Sequence, residues 1–324
     1  MNPSKKIIEL HLSQLLADLN KISKINISYI SHFHEIETNF FLPFSNLISI
    51  DMSHCGIRRI GSNQFISLRN LLDLDLSSNL IRSIDNETFR GLFSLLKLNL
   101  SSNQLESLIG FQFADLNNLE ELRLFYNRLH TIESMVFGSL KKLRKLYLSG
   151  NCLECVDDHV FSSLVSLVDL DLSFNSLIQM TAASFVGLRE LRRLNLNKNN
   201  LERLVENQFV ELSNLEELAL YNNRLSVIER GSFRMLLNLK KLNLLGNCLR
   251  ALYARQFEDL SSLIELNLNR NQIELIEADS FVGLRSLNKL LIEFNRLSKP
   301  FSKSDHETLS KIEIIKIACD NQMT

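Results

Sequence analysis

The chain has 324 residues, 45% of them hydrophobic, which is ample for a large core and on length alone would suggest two globular domains. A net charge of -1 excludes a global basic field of the kind that gathers nucleic acid or anionic lipid. No apolar run reaches the roughly 18 residues of a membrane-spanning helix, and Glu9, His11 and Asp18 interrupt the apolar residues after Lys5 and Lys6, so the N-terminus does not read as a secretory leader.

In chain order, residues 1–21 stand apart. Leu12, Leu15, Leu16, Leu19 and Ile22 fall at helical spacing and predict an amphipathic helix over the first edge of the core. Leu16–Lys21 equally matches the tail of a cut repeat, and the spacing leaves both readings open. Residues 22–46 form a degenerate repeat, with Ile22, Ile25 and Ile27 as its strand and Phe41 with Phe44 closing it one residue late.

From Leu47 to Ser286 one unit of 24 residues recurs ten times without insertion or deletion. Phenylalanines keep its beat from Phe65 to Phe281, and asparagines from Asn79 to Asn295. A fixed period in this range defines a solenoid, whose units bury their apolar faces only against their neighbours. After Ser286 the array decays. Leu287, Leu290, Ile292, Asn295 and Leu297 start another unit, Pro300 breaks it, and Ile312, Ile315 and Ile317 predict one more strand before the chain stops in mid-repeat. The expectation is a single solenoid over 1–324: an irregular edge at 1–46, regular repeats over 47–286, and degenerate, truncated repeats over 287–324. The abrupt ends leave a fragment of a longer protein open.

The unit reads L-x-x-L-x-L-x-x-N-x-L-x-x-L-x-x-x-x-F-x-x-L-x-x, and it resembles the leucine-rich repeat family in its typical 24-residue subtype. The resemblance implies an α/β fold: a curved solenoid with a parallel sheet on its concave side and turns or short helices on its convex side. The residues agree on physical grounds. In the copy Leu167–Glu190, Leu170 and Leu172 point inward while Asp169 and Asp171 point outward. Leu177, Met180, Phe185 and Leu188 complete the inward set, each contributing roughly 1.5–3 kcal/mol when buried. Asn175 stands where strand becomes loop, and its carboxamide can satisfy backbone groups buried at the bend. Cys55 takes the same place in the first regular unit, as a structural residue.

Exposed strand positions are where partners would be read. At the third position of successive units the charge alternates: Asp73, Lys97, Glu121, Lys145, Asp169, Arg193, Glu217, Lys241, Glu265, Lys289. That pattern predicts a self-neutralising ladder, worth about 0–1 kcal/mol per exposed pair, and not a phosphate-binding surface. Phe125, Tyr126, Tyr147 and Phe174 fall on or just after three successive strands, with Gly150 between Tyr126 and Phe174. This is the candidate partner-binding patch, since exposed aromatic patches mark interaction sites; the bland reading packs the rings on each other and on the stems of Arg123 and Arg144. Tyr221 and Phe294 look isolated.

No catalytic, cofactor or metal site emerges. Cys152 and Cys155 form a lone C-x-x-C, expected as a local disulfide or two free thiols, since structural zinc needs four ligands. His32, His34 and Glu35 read as a solvated loop, and the other histidines do not converge with Ser, Asp or Cys. Five cysteines are too few and too scattered for a disulfide framework. Sequons at Asn26, Asn86 and Asn99 occur at chance frequency, and a glycan on Asn99 would block the strand face.

The reading is a non-enzymatic module recognising a protein ligand or receptor, with no nucleic acid and no membrane insertion, and with a homo-oligomer left open. The repeat subtype implies an extracellular or cell-surface setting, as in leucine-rich-repeat receptors, adhesion and matrix proteins. The alternative is a cytoplasmic scaffold or regulatory subunit, favoured by the absent leader, absent cap cysteines and unpaired thiols.

Overall fold

The structure is a computed structural model and describes residues 18–19, 21–30, 36, 40–297, 301–310 and 314–316. The expected helix from Leu12 lies almost wholly outside these residues, as do His32–Glu35, Pro300, Ile312, Ile317 and Cys319. The chain divides into two compact bodies, residues 1–143 and 144–324.

Each body is a parallel-strand solenoid. In the first, strands Lys24–Asn26, Ser49–Asp51, Asp73–Asp75, Lys97–Asn99 and Glu121–Arg123 pair in sequence order. In the second, Lys145–Tyr147, Asp169–Asp171, Arg193–Asn195, Glu217–Ala219, Lys241–Asn243, Glu265–Asn267, Lys289–Leu291 and Ile314–Lys316 do the same. Each regular strand pairs with the residue 24 places on, as Leu170 with Leu194. The degenerate first repeat is one residue longer, pairing Ile25 with Ile50. The strand expected near Ile315 is present, facing Leu290.

These strands are three residues long because the repeat pattern changes after them. From Asp73–Asp75 to Lys289–Leu291 the central leucine of each strand is buried, and its two flanking residues face outward to varying degrees. The chain then turns at the ladder asparagine. Asn175 accepts from Leu153 N–H at 3.1 Å and donates to the carbonyls of Leu148, Leu172 and Ser173 at 3.0–3.2 Å. One carboxamide therefore satisfies groups in its own repeat and in the one before. Cys55 does the same work with a thiol: it is fully buried, and its Sγ donates to Ile27 O at 3.0 Å and Ser53 O at 3.4 Å.

Among the described residues the return path is made of turns, with one 3-10 segment, Ala182–Phe185, and short two-residue bridges such as Arg203–Leu204 with Val227–Ile228. Its fillers are the phenylalanines. Phe65 and Phe89 stack with centroids 6.3 Å apart, and Phe209 and Phe233 with centroids 6.4 Å apart. Phe41 joins this column at 5.7 Å from Phe65, so the degenerate repeat shares the regular core. A second polar ladder, not anticipated from the sequence, sits just before the phenylalanines. Gln208 Nε2 donates to Met180 O at 2.7 Å and Gln256 Nε2 to Ile228 O at 3.0 Å, tying each return path to the previous one.

The C-terminal end brings one feature that was not expected, helix Lys303–Leu309. Ser302 caps it: Asp305 N–H donates to Ser302 Oγ, and Ser302 Oγ donates to the buried Asp305 carboxylate. Phe301 meets Phe281 edge-on at 5.9 Å and covers that ring of the column.

Candidate protein-interaction surface

The residue just before each ladder position is held in the left-handed region of backbone space. It is Tyr29, His54, Ser78, Ser102, Tyr126, Gly150, Phe174, Lys198, Asn222, Gly246, Arg270 and Phe294, with φ between 52° and 69° throughout. The cause is local. After the strand the chain must fold back sharply enough for the next carboxamide to reach carbonyls two and three residues behind it, as Asn175 reaches Ser173 and Leu172. The N–H of the left-handed residue is then free to bond the following repeat, as Phe174 does to Asn197 O at 2.9 Å. Only glycine adopts this conformation without cost; other residues pay roughly 1–2 kcal/mol. Two of the four candidate aromatics, Tyr126 and Phe174, stand in this row, and both are exposed, by 64% and 48%.

Within the first body Phe125 is half-buried and meets Tyr126 edge-to-face at 5.5 Å. Within the second, Tyr147 lies on its strand half-buried, not open as the sequence suggested. Phe174 carries the ammonium of Lys198 over its ring at 4.3 Å, which is the packing partner the sequence did not name. Neighbours along the left-handed row touch elsewhere too. Tyr29 stacks flat on His54 at 4.5 Å, and Arg270 lies over Phe294 at 5.5 Å, so Phe294 is not isolated.

The charge pattern differs from the expected continuous ladder. In the second body three cations at the third position of the unit take the carboxylate of the preceding strand: Arg193 with Asp169 at 2.9 Å, Lys241 with Glu217 at 3.0 Å, Lys289 with Glu265 at 2.8 Å. In the first body Arg123 reaches Glu121 along the same strand at 2.5 Å, while Asp73 and Lys97 form no ion pair among the described residues. Arg123 ends its strand at a position where the other regular repeats carry Asp, Asn, Tyr, Ala or Leu, so this same-strand pair does not recur in them. Loss of hydration pushes the Asp73 carboxyl above the usual carboxylate range; Lys97 opposes this, and Asp75 and Glu121 add to it.

Where a strand ends in Asp or Asn, that outward residue has a structural task the sequence reading missed. Asp51, Asp75, Asp171 and Asn195 accept the N–H two residues on, closing the strand end. Their recurrence every 24 residues was the available signal. Asn26 and Asn99 of the sequons belong to this set, and their amides donate to Asp51 and Asp75. The Asn86 carboxamide is exposed, its oxygen accepting Phe111 N–H. Cys152 and Cys155 are free and exposed, and Cys248 is free and half-buried. Among the described residues no three His, Cys, Asp or Glu side chains gather as a metal site, and no helix is long and apolar enough to cross a membrane.

Short parallel strands, an asparagine-bonded turn and a phenylalanine-filled return, repeated in register, define a solenoid repeat protein that displays one row of residues per turn. The family model for leucine rich repeat matches residues 45–105, 69–129, 117–177, 170–225, 213–263 and 249–297, and the chain belongs to that family. No curated protein matches it. Among solved structures it is similar to a chain of the glycosylated Toll–Spatzle complex of Drosophila, with a TM-score of 0.85 and 23% identity over 94% of this chain. It is similar to a chain of the TLR13–ssRNA13 complex at a TM-score of 0.77, with 24% identity over 93% of this chain and 47% of that one. A chain of the octameric complex of Latrophilin 3 (Lec, Olf), Unc5D (Ig, Ig2, TSP1) and FLRT2 (LRR) matches at 0.66, with 26% identity over 76% of this chain and 74% of that one. This chain spans 42% of the Toll-complex chain.

Proposed function

We propose that the chain is a non-enzymatic protein-recognition module whose ligand contacts lie on the strand face and the left-handed row beside it. The contacts centre on Phe125 and Tyr126 in the first body and on Tyr147 and Phe174 in the second. One observation carries the reading: a row whose backbone favours glycine bears large, exposed aromatics at Tyr126 and Phe174. Side chains kept at a strained position without being buried contribute little to folding, so the fold itself does not call for rings at these two. Tyrosine and phenylalanine there offer large apolar area at low entropic cost, as binding hot spots do. Support for a protein ligand comes from similar folds solved as protein complexes, Toll with Spatzle and FLRT2 with Latrophilin 3 and Unc5D. The setting that goes with them is extracellular or at the cell surface.

The test uses glycine, which relieves the backbone while deleting the ring. Purified protein is screened by surface plasmon resonance against an array of purified ectodomains, and each hit is re-measured with Tyr126→Gly and Phe174→Gly. Hits should weaken roughly tenfold or more, with Tm held within about 3 °C because relief of strain offsets the added freedom of the unfolded chain. Hits that bind both variants unchanged, or an array with no hits, would overturn the proposal.

A further inference from the structure

A groove of about 600 Å³ in the first body is lined by Arg58, Arg59, Leu80, Arg82, Ser83 and Gln104. It differs in charge from the other grooves described. Those include Glu87 and Asp115, or Glu206, Glu258 and Asp259, or Asp73, Asp75 and Glu121, so each holds its own counterions. No carboxylate lines this one. Among the described residues Arg58, Arg59 and Arg82 make no ion pair within 4.0 Å, whereas seven arginines of the second body do, Arg193, Arg203 and Arg230 among them. All three groove arginines are exposed. Arg82 is also oriented: its Nε donates to Gln104 Oε1 at 3.3 Å, which leaves the two terminal nitrogens of the fork without a protein acceptor. Leu80, 37% exposed, supplies an apolar part of the same lining.

Three unopposed guanidinium groups and an apolar surface in one groove are the complement of carboxylates on a flexible chain, since each fork can take a carboxylate through two parallel hydrogen bonds. We propose that this groove is a subsite for an acidic peptide segment of the protein ligand, with Asp or Glu side chains on Arg58, Arg59 and Arg82 and their stems against Leu80. The acidic-peptide assignment rests on the protein-recognition reading, but the site is independent of the aromatic pairs. The arrangement is local, so a net charge of -1 for the whole chain does not oppose it.

The probe is a fluorescein-labelled hexaglutamate peptide, titrated with the full chain by fluorescence anisotropy. Binding should weaken as salt rises from about 50 to about 200 mM, because counterions compete for the arginines. The triple variant Arg58→Gln, Arg59→Gln, Arg82→Gln should lose roughly tenfold or more and flatten that salt response. Arg230→Gln with Arg234→Gln, which removes arginines already held by Glu258 and Glu206, should bind like wild type. Tyr126→Gly should leave hexaglutamate binding intact, so a failure here and a failure of the aromatic reading are told apart. The proposal is overturned by no preference for hexaglutamate over hexaserine, by a triple variant that keeps its Tm and its affinity, or by equal loss in the Arg230/Arg234 variant. Tighter binding of an oligothymidylate of equal charge, lost in the triple variant, would reassign the groove to nucleic acid and overturn it as well.

Discussion

At Asn175 one side chain serves four backbone groups, and all four are buried with it. Removing it orphans a donor and several acceptors at once, and each orphan costs about 1–3 kcal/mol. Asn175→Ala should therefore lower the unfolding free energy by about 3 kcal/mol or more in urea melts. Cys55→Ala should cost less, because a thiol makes only weak hydrogen bonds and fewer of them. Near-equal losses would show that the carboxamide is not what holds the turn. The asparagine beat was legible in the sequence because one residue type recurs there. The left-handed row was not. It carries Ser78, Tyr126, Phe174, Lys198 and Arg270, which share no side-chain chemistry, and its conformation is imposed by the strand before it and the asparagine after it.

Among the elements, the return path is where glycine is structurally required. Gly187 has φ +90°, and a Cβ there would stand 2.4 Å from Ser162 O, a backbone atom of the preceding repeat. Gly61 has an ordinary φ, and its added Cβ would meet only the end of the Gln64 side chain, at 2.9 Å. Gly187→Ala should accordingly cost about 2–3 kcal/mol and Gly61→Ala under about 1 kcal/mol by denaturant titration. Equal effects would mean the return path yields more readily than this packing implies. The strands and the phenylalanine column were legible because they follow simple periods. The helix Lys303–Leu309 was not, although Ser302 three residues before Asp305 is a capping signature; the reading passed from the break at Pro300 to the strand near Ile315 and assigned no element between them. The four aromatics could be named from the sequence, but the half-burial of Tyr147 and the Lys198–Phe174 contact depend on side-chain paths that spacing does not specify.

At the scale of the whole second body, nearest-neighbour packing means that whole repeats can be removed in phase. Excising residues 191–214 joins Glu190 to Leu215 and keeps the period, but it sets Asp169 beside Glu217. Excising residues 191–238 sets Asp169 beside Lys241 and restores opposite signs. Both proteins should fold with wild-type circular dichroism per residue. The single excision should gain Tm as salt is added, since screening relieves about 0–1 kcal/mol of like-charge repulsion, and the double excision should not. Identical salt responses would remove any role for sign alternation in setting neighbours. The row at positions 54, 78, 102, 126, 150, 174, 198, 222, 246, 270 and 294 has another consequence. The scaffold asks for a backbone angle there and none of these side chains is fully buried, so exchanges among non-glycine residues that already bear the angle's cost can accumulate with little further loss of fold. Such a row is a natural reservoir of variation: selection, or a laboratory library randomised at those positions alone, can change what the protein binds while leaving untouched the residues that make it fold.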